Sequence, residues 1–461
     1  MVGTFGGMPH AVMWFRRDLR LSDNPALVAA VRHAGRDGDV VALFCSDPRL
    51  RTPSGAVRLA FLTGCLDALD RSIGGHLVVR TGAPSAAVPQ LAGRVGADRV
   101  FVAEDFGPYG HERDRQVEDA LAADGIQLVR IGSPYAVRPG EILSRAGESY
   151  KVFTPFSRAW REHGWLGPAR APAAVPWATG VDGDDIPDAP TVEADLPEPG
   201  EDAARRAARG FYDGPLADYA ELRDRPDLNA TSRLSPYLKW GCLHPRQLLA
   251  RLDRSKGHDA FRTELCWREF FADVLWHRPD TVHGAFDETM RSMEIDVGTG
   301  TEEPFRAWAE GRTGYPIVDA GMRQLLAEGW MHNRLRMIVA SFLVKDLHLD
   351  WARGARWFMA RLVDGDLASN QLGWQWVAGT GTDTAPYFRV FNPVSQGERF
   401  DPQGDYVRRW VPELRSVPGK AVHRPWEQAG GPPEGYPDRI VDHADERAEA
   451  LRRYERAQSA R

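Results

Sequence analysis

Glu264, Trp267 and Arg268 form the first group whose residue types and spacing could do chemistry, because they stand at positions i, i+3 and i+4. On a helix this spacing puts a carboxylate, an indole and a guanidinium on one face. Such a face could hold a nucleic-acid base between stacking and hydrogen bonding. A surface pair between Glu264 and Arg268 beside a half-buried Trp267 would give the same pattern, so both interpretations stay open.

A second group consists of hydroxyl side chains just before a helical segment, at Thr231, Ser232 and Ser235. We expect Ser235 to cap the helix and Pro236 to be its first residue. Free N–H groups and hydroxyls at a helix start suit a phosphate or a pyrophosphate. Ordinary helix caps explain the same residues and are frequent.

Two carboxylates flank a glycine in residues 364–366, and Asn370 follows four positions later. A metal loop is one interpretation, but the ligands are too few for calcium and the acidic spacing of an EF-hand is missing. The carboxylates of Asp364 and Asp366 could instead accept bonds from a heterocycle and from arginine. A plain Asp-Gly turn is the third interpretation.

The segment after His332 predicts an amphipathic helix with two different faces. We expect His332 to be a core or capping residue, because no serine or cysteine nucleophile motif accompanies it. The face opposite the apolar stripe mixes polar groups with a thioether and a small residue, which favours a pocket wall over a solvated surface. The apolar stripe is Leu335, Ile338, Val339, Phe342 and Leu343, and the opposite face is Asn333, Arg336, Met337 and Ala340.

Tryptophans are concentrated in the second half of the chain, which holds 11 of the 15. Trp374 and Trp376, with Trp351 and Trp357 upstream, could stack on bases or relay electrons by indole oxidation. Aromatic packing in the core is the alternative for each of them.

The first third of the chain must position some of these groups, and its alternation of short apolar runs with helix-length segments predicts a doubly wound parallel sheet. No G-x-G-x-x-G fingerprint follows the first strand, where residues 14–20 read Trp-Phe-Arg-Arg-Asp-Leu-Arg. An ordinary dinucleotide site is therefore not expected there. The predicted strands are 11–15, 40–45, 76–80, 99–104 and 127–131, and the predicted helices are 25–34, 56–71, 84–94 and 111–123.

The later part of the chain shows helical periodicity from about residue 203 onwards. Residues 168–200 combine proline, glycine and acidic residues, as an interdomain linker would. The predicted fold is α/β plus all-α: an N-terminal α/β domain over 8–135, a connector over 136–202 and a helical domain over 203–461.

Composition excludes several other classes of protein. The 461 residues contain no apolar run near the roughly 20 needed to cross a bilayer, and residues 1–10 lack the basic start of a secretory signal. We therefore expect a cytoplasmic protein with reduced, packed thiols at its four cysteines. We also expect a monomer, although the sequence does not fix the oligomeric state. The net charge is −6, but nine acids in residues 171–202 leave the rest of the chain at +3. A basic patch for nucleic acid thus remains compatible with the sequence.

Together these segments resemble the photolyase and cryptochrome family, and specifically the class I cyclobutane pyrimidine dimer (CPD) photolyases. The resemblance spans nearly the whole chain, and the order of the motifs is very specific. The matching segments are residues 14–20, 151–156, 231–235, 314–320, 330–334, 364–366, 374–376 and 391–393.

The resemblance implies an antenna domain followed by a helical domain that binds FAD. Phe261 stands where many relatives have tryptophan, and the swap is expected to change packing only. Asn370, expected beside flavin N5, is the residue typical of repair enzymes, whereas plant cryptochromes have aspartate there. By this resemblance the flavin contacts are Tyr219, Thr231, Ser232, Arg233, Leu234, Ser235, Phe261, Glu264, Arg268, Asn333, Arg336, Asp364, Asp366 and Asn370.

The resemblance also implies DNA containing pyrimidine dimers as the partner, with the damaged pair flipped out of the helix. Relatives that repair (6-4) photoproducts have histidines where Asn333 and Met337 stand, so dimer repair is preferred. Glu264 and Asn333 would bond the carbonyl edge of the dimer as it accepts an electron. By the same resemblance the pocket is Glu264, Trp267, Asn333, Met337 and Trp376, with Arg223 and Arg334 as candidates for the DNA backbone.

Two further expectations concern light. Photoreduction of the flavin would begin at Trp374 and continue through Trp351, but residues 296–299, where the family has its third tryptophan, contain none. An antenna chromophore of the 8-hydroxy-5-deazaflavin type is implied by Asp105 and Lys239, with folate as the alternative.

Two other functions compete with repair. A light sensor would use the same fold, but no long extension follows Tyr454, and Asn370 and Glu264 favour repair. A helical nucleic-acid-binding protein without catalysis would need the flavin cradle to be empty.

Overall fold

A computed structural model describes residues 10–383 and 389–459 of the chain. The predicted domain limits also include residues 8, 9, 384–388, 460 and 461, which lie outside the described part. Among the described residues no helix is long and apolar enough to span a membrane.

The N-terminal part is a five-stranded parallel sheet with the strand order β3-β2-β1-β4-β5, which confirms the predicted doubly wound sheet. Because crossovers run in opposite directions from β1, the loops after β1 and β4 meet at a switch point, where such sheets bind ligands. The strands are β1 His10–Phe15, β2 Val40–Ser46, β3 Leu77–Thr81, β4 Ala97–Val102 and β5 Gln127–Arg130.

Helices cover both faces of this sheet, close to the predicted limits. Two cores result, one on each face, because the strands are buried on both sides. The helices up to the connector are α1 Pro25–Ala34, α2 Pro48–Arg51, α3 Ala56–Ser72, α4 Pro84–Arg94, α5 Pro108–Ala123 and α6 Phe153–His163.

The rest of the described chain is helical, as its periodicity predicts. The first helices of this part are α7 Glu201–Asp213, α8 Tyr219–Leu222, α9 Ser235–Trp240, α10 Pro245–Leu249, α11 Lys256–His277 and α12 Glu302–Glu310. The remaining helices are α13 Pro316–Glu328, α14 Asn333–Lys345, α15 Trp351–Arg361, α16 Leu367–Ala378, α17 Pro393–Phe400, α18 Asp405–Trp410 and α19 His443–Ser459.

One core cluster joins the two parts of the chain, because sheet residues such as Phe15 and helical-domain residues such as Phe270 belong to it. A third cluster lies within the helical part and contains the whole predicted stripe of α14, which is fully buried. All four cysteines are buried and free, as expected.

Candidate functional site

Glu264 lies near the middle of α11, and its carboxylate pairs with Arg223. Arg268, one turn further on, instead donates to the carbonyls of Pro134 at 3.0 Å and Leu238 at 3.3 Å. The sequence-based alternative of a Glu264–Arg268 surface pair is therefore wrong, because backbone carbonyls at the end of the N-terminal domain and in α9 supply better-placed acceptors. Burial raises the pKa of Glu264 above its ordinary value, although the Arg223 guanidinium opposes the shift.

Two tryptophans of the predicted pocket are linked through one loop. Trp267 stacks flat on Phe153, with ring centroids 3.6 Å apart. The N–H of Phe153 donates to the carboxylate of Asp383 at 3.2 Å, and the backbone carbonyl of Asp383 accepts from Trp376 at 3.0 Å. The fold thus joins α11 and α16, more than 100 residues apart in sequence, around residues 151–153.

The start of α14 contributes a second charged pair. Arg334 donates to Asp224 at 2.8 Å and lies over the ring of Phe400. His332 caps the helix by accepting from the Arg334 N–H at 3.1 Å, which confirms the capping role predicted for it. We call Arg223–Glu264 and Arg334–Asp224 the rim pairs, because the side chains of both pairs are 19% to 36% exposed.

The other residues of that helix face differ in exposure. Asn333 is exposed, Met337 is half-buried and Ala340 is buried. The Arg334 guanidinium lies 3.8 Å from the sulfur of Met337. This face therefore changes from an exposed amide to a half-buried thioether and a buried methyl group, and its role as a pocket wall stays a prediction.

Asp364 and Asp366 both accept from arginine, as the second of the three interpretations expected. Asp364 pairs with Arg336 at 2.8 Å, and its Oδ1 is buried without a hydrogen-bond donor among the described residues. The metal-loop interpretation finds no support: within residues 10–383 and 389–459 no cluster of three or more metal-ligating side chains occurs.

Asp366 is buried and lies at the centre of a group of partly buried charges that joins the two parts of the chain. Its Oδ2 accepts from Arg17 at 2.7 Å and lies 4.0 Å from the Lys239 ammonium, while its Oδ1 caps α16 through the Ser369 N–H at 3.2 Å. Arg268 adds a third positive charge. We call Asp366, Arg17, Lys239 and Arg268 the Asp366 cluster.

The cluster changes the acidities of its members. Burial works against the charge of Asp366, but Arg17, Lys239 and Arg268 outweigh it and hold the pKa well below its ordinary value. Burial, together with the neighbouring Arg17, lowers the pKa of Lys239 to about 7.

The hydroxyl-rich segment differs in detail from the prediction. Helix α9 begins at Ser235 itself, and its N-cap is Leu234, so the prediction of a Ser235 cap followed by Pro236 is wrong by one position. The reason is local: the Ser232 hydroxyl accepts from the Leu234 N–H at 3.4 Å and turns the chain one residue earlier. Ser235 accepts from Trp330 at 3.3 Å instead. Arg233 has a positive φ of 49°.

The remaining predicted residues lie within the apolar interior. Phe261 and Tyr219 are buried and in edge-to-face contact, with ring centroids 5.7 Å apart. Asn370 on α16 is buried and donates to the carbonyl of Ala355 at 3.1 Å. Trp374, one turn further on, is buried with its indole N–H unpartnered among the described side chains.

Two family models match the chain. The model described as DNA photolyase covers residues 11–176, and the model described as FAD binding domain of DNA photolyase covers residues 261–456. A protein of Streptomyces griseus named deoxyribodipyrimidine photo-lyase is 44% identical over 98% of this chain and 99% of its own length. This chain belongs to the DNA photolyase family. An Escherichia coli protein of the same name is 40% identical over 98% of this chain and 99% of its own.

Solved structures of the family superpose on nearly the whole chain. A class III photolyase from Agrobacterium tumefaciens has a TM-score of 0.90 at 37% identity, covering 99% of this chain and all of its own. A cryptochrome from Synechocystis sp. has a TM-score of 0.88 at 28% identity, covering 97% of this chain and all of its own. The photolyase fold expected from the sequence motifs is thereby confirmed.

The sequence analysis missed several residues that shape this site. Asp224 and Asp383 form its polar contacts, and neither stands in a motif singled out beforehand. Arg17 and Phe153 do stand in matching segments, but no spacing in the sequence connects them with Asp366 or Trp267. Only Asp224 left a local signal, because it directly follows Arg223.

Proposed function

We propose that this protein is a class I CPD photolyase, which repairs cyclobutane pyrimidine dimers in DNA with light. The observation that carries the proposal is Glu264: its raised-pKa carboxylate is half-exposed, held by Arg223, and one helical turn from the stacked Trp267. Relatives at 40% to 44% identity over nearly the full chain, named deoxyribodipyrimidine photo-lyase, support the same reaction. The assignment to class I is a further part of the proposal, taken from the sequence motifs.

The described residues suit FAD in the helical domain. Asp364 has a buried carboxylate oxygen without a donor, and a heterocyclic N–H would satisfy it. The buried N–H of Trp374 likewise lacks an acceptor. When bound and reduced, FAD supplies an electron on absorbing light and takes it back after the cyclobutane bonds break. We propose as its contacts Tyr219, Thr231, Ser232, Arg233, Leu234, Ser235, Phe261, Glu264, Arg268, Asn333, Arg336, Asp364, Asp366 and Asn370.

The protein's own task in repair is to hold the dimer and stabilise the charge that develops on it. Trp267 and Trp376 would contact the rings of the flipped pair, with Met337 filling the space beside them. Glu264 and Asn333 would bond the carbonyl edge. A hydrogen bond that strengthens as negative charge develops lowers the barrier to bond cleavage.

The rim pairs provide the positive charge for the DNA backbone. In the protein alone, Arg223 and Arg334 are paired with carboxylates whose side chains are 32% and 35% exposed, and such partly exposed ion pairs contribute less than buried ones. A DNA phosphate can therefore take over either arginine at small cost. Such exchange would also remove Arg223 from Glu264 and leave the carboxyl free to face the dimer. We expect the enzyme to act as a monomer.

The test is to illuminate the chemically reduced, FAD-loaded protein with dimer-containing DNA and to measure restored thymine. We expect restoration in light and none in the dark. Loaded protein whose flavin responds to light without restoring thymine would indicate a light sensor, the first of the two competing functions. Protein that binds DNA but takes up no flavin would overturn both and leave a binding protein.

We also propose an antenna site between the sheet and the helical domain, formed by Asp105 and Lys239. Asp105 follows β4 at the switch point, where it accepts from Arg113 at 3.2 Å, and the partly buried Lys239 approaches from α9. An ionised 8-hydroxy-5-deazaflavin would suit the ammonium group. Folate is the alternative, and an archaeal photolyase from Sulfolobus tokodaii is described with two FAD molecules.

Reconstitution distinguishes these chromophores. Because the pKa of Lys239 is about 7, its charge declines above neutral pH, so binding of a deazaflavin anion should weaken from pH 7 to 9. Lys239→Arg stays charged and should remove this pH dependence. Uptake of folate or FAD but not of the deazaflavin would contradict the assignment and leave the repair function untouched.

A further inference from the structure

A surface cleft of about 320 Å³ lies between α12 and α15, and none of its lining residues belongs to the proposed repair site. Phe305 and Trp357 line it, together with Glu302 and Arg353. Trp357 is half-buried, so part of an oxidisable indole borders the cleft.

A continuous series of aromatic rings leads from this cleft to Trp374. Trp357 meets Phe305 edge to face at a centroid distance of 6.0 Å, and Phe305 lies 5.6 Å from Trp308. Trp308 in turn meets Trp374 at 6.1 Å. Phe358 provides a second contact between Trp308 and Trp374, because its ring lies 5.0 Å from Trp374 and is stacked on Trp308 at 6.2 Å. Every step in this series is a ring-to-ring contact.

The other tryptophan expected to follow Trp374 lacks such a path. Trp351 makes no ring contact with an aromatic side chain in the part of the chain that the structure describes, and residues 296–299 beyond it contain no tryptophan. Electron transfer decays steeply with distance, so a series of contacting rings is the better conductor. Indoles are far easier to oxidise than benzene rings. Trp308 and Trp357 would therefore be the residues that are transiently oxidised, and Phe305 would mediate transfer between them without being oxidised.

We propose that Trp357 is the surface electron donor of this protein, connected to Trp374 through Trp308 and Phe305. The inference rests on the proposed function, because it presupposes that light oxidises Trp374 beside a bound flavin. One electron passes inwards at each step: Trp374 is refilled from Trp308, and Trp308 from Trp357. The oxidised Trp357 then regains one electron from a small thiol in the cleft, which becomes a thiyl radical and releases its proton to water.

Charges around Trp357 bear on how long its oxidised form survives. Its indole N–H has no acceptor among the described residues, so the oxidised ring has no protein group to take its proton. The guanidinium of Arg361 lies 4.6 Å over the ring and opposes an added positive charge. Glu302 in the cleft is already paired with Arg353 at 2.7 Å. Removing the charge of Arg361 should therefore favour the radical.

The experiment compares Trp357→Phe with Trp410→Phe in FAD-loaded protein whose flavin is oxidised. Trp410 is also a partly buried tryptophan with an unpartnered N–H, but it has no ring contact with the series among the described residues. Electron paramagnetic resonance after a light pulse reports the tryptophan radical, and absorption with a thiol present reports net flavin reduction. We expect Trp357→Phe to lose the long-lived radical and the thiol-dependent reduction, and Trp410→Phe to retain both.

Two further variants sharpen the outcome. Arg361→Gln should raise the radical yield, because it removes a cation from the ring face.

If Trp351→Phe abolishes the radical while Trp357→Phe retains it, the proposal is overturned. Repair by chemically reduced protein is measured alongside: loss of repair in the parent protein would contradict the proposed function, whereas normal repair with an unaffected radical in Trp357→Phe would contradict only this inference.

Discussion

The Asp366 cluster and the rim pairs are both made of arginines and carboxylates, yet they differ in exposure and in the number of partners. In the cluster, the Asp366 side chain is 11% exposed and gathers three positive groups. At the rim, Glu264 and Asp224 are 32% and 35% exposed, and each pairs with one arginine. The same types of ion pair therefore serve two purposes: those of the Asp366 cluster are permanent contacts within the protein, and those of the rim can be exchanged for contacts with DNA.

The difference follows from solvation. Removing one partner of a buried ion pair leaves the other charge uncompensated and is strongly destabilising. An exposed pair contributes little, because water replaces either partner. The cluster can hold the two domains together, and only the rim can give up its arginines to a DNA phosphate.

The largest expected effect separates the two groups directly. Asp366→Asn keeps a side-chain oxygen that can cap α16 but removes the charge, so we expect the free energy of unfolding to fall by about 3 kcal/mol. Asp224→Asn at the rim should change it by less than about 1 kcal/mol. Chemical denaturation of both variants measures the difference, and equal losses would break the distinction between the two groups.

The next effect concerns repair. Glu264→Ala should keep FAD bound, because thirteen other proposed contacts remain, and should lower the repair yield about tenfold, which corresponds to roughly 1.4 kcal/mol of lost stabilisation. Glu264→Gln should lose less, because its amide still donates a hydrogen bond as the protonated carboxyl would. The measurements are restored thymine per absorbed photon and the affinity for dimer-containing DNA. An unchanged yield in Glu264→Ala at full DNA occupancy would remove Glu264 from the mechanism.

The smallest effect lies in the salt dependence of DNA binding. Arg334→Ala and Arg223→Ala should each reduce the slope of log affinity against log salt by about 0.9, the release expected for one phosphate contact on duplex DNA. Arg115→Ala, in an exposed pair with Glu112 on α5, is the matched control and should leave the slope unchanged. Slopes equal to that of the parent protein would place both rim arginines outside the DNA interface.

Single motifs show which structural features can be predicted from local sequence patterns alone. The stripe of α14, the cap at His332 and the five strands follow from periodicity and capping, and the structure has all of them. Ser235 was misplaced by one residue because Ser232 competes for the turn. For Glu264, the sequence allowed either a surface ion pair or a pocket residue, and the helical spacing indicated Arg268 as the ion-pair partner. The structure shows Arg223, directly after α8, as the partner instead.

What the sequence by itself determined is the family, the fold class and the residue types of the site, since motif order and hydrophobic period depend only on neighbours along the chain. The tertiary structure decided which charges meet: Arg17 reaches Asp366 across 349 positions, and Arg223 reaches Glu264 across 41. It also decided that Trp357 has an aromatic path to Trp374 and that Trp351 has no described ring contact. Such pairings depend on how helices and sheet pack in three dimensions, and no local period encodes that packing.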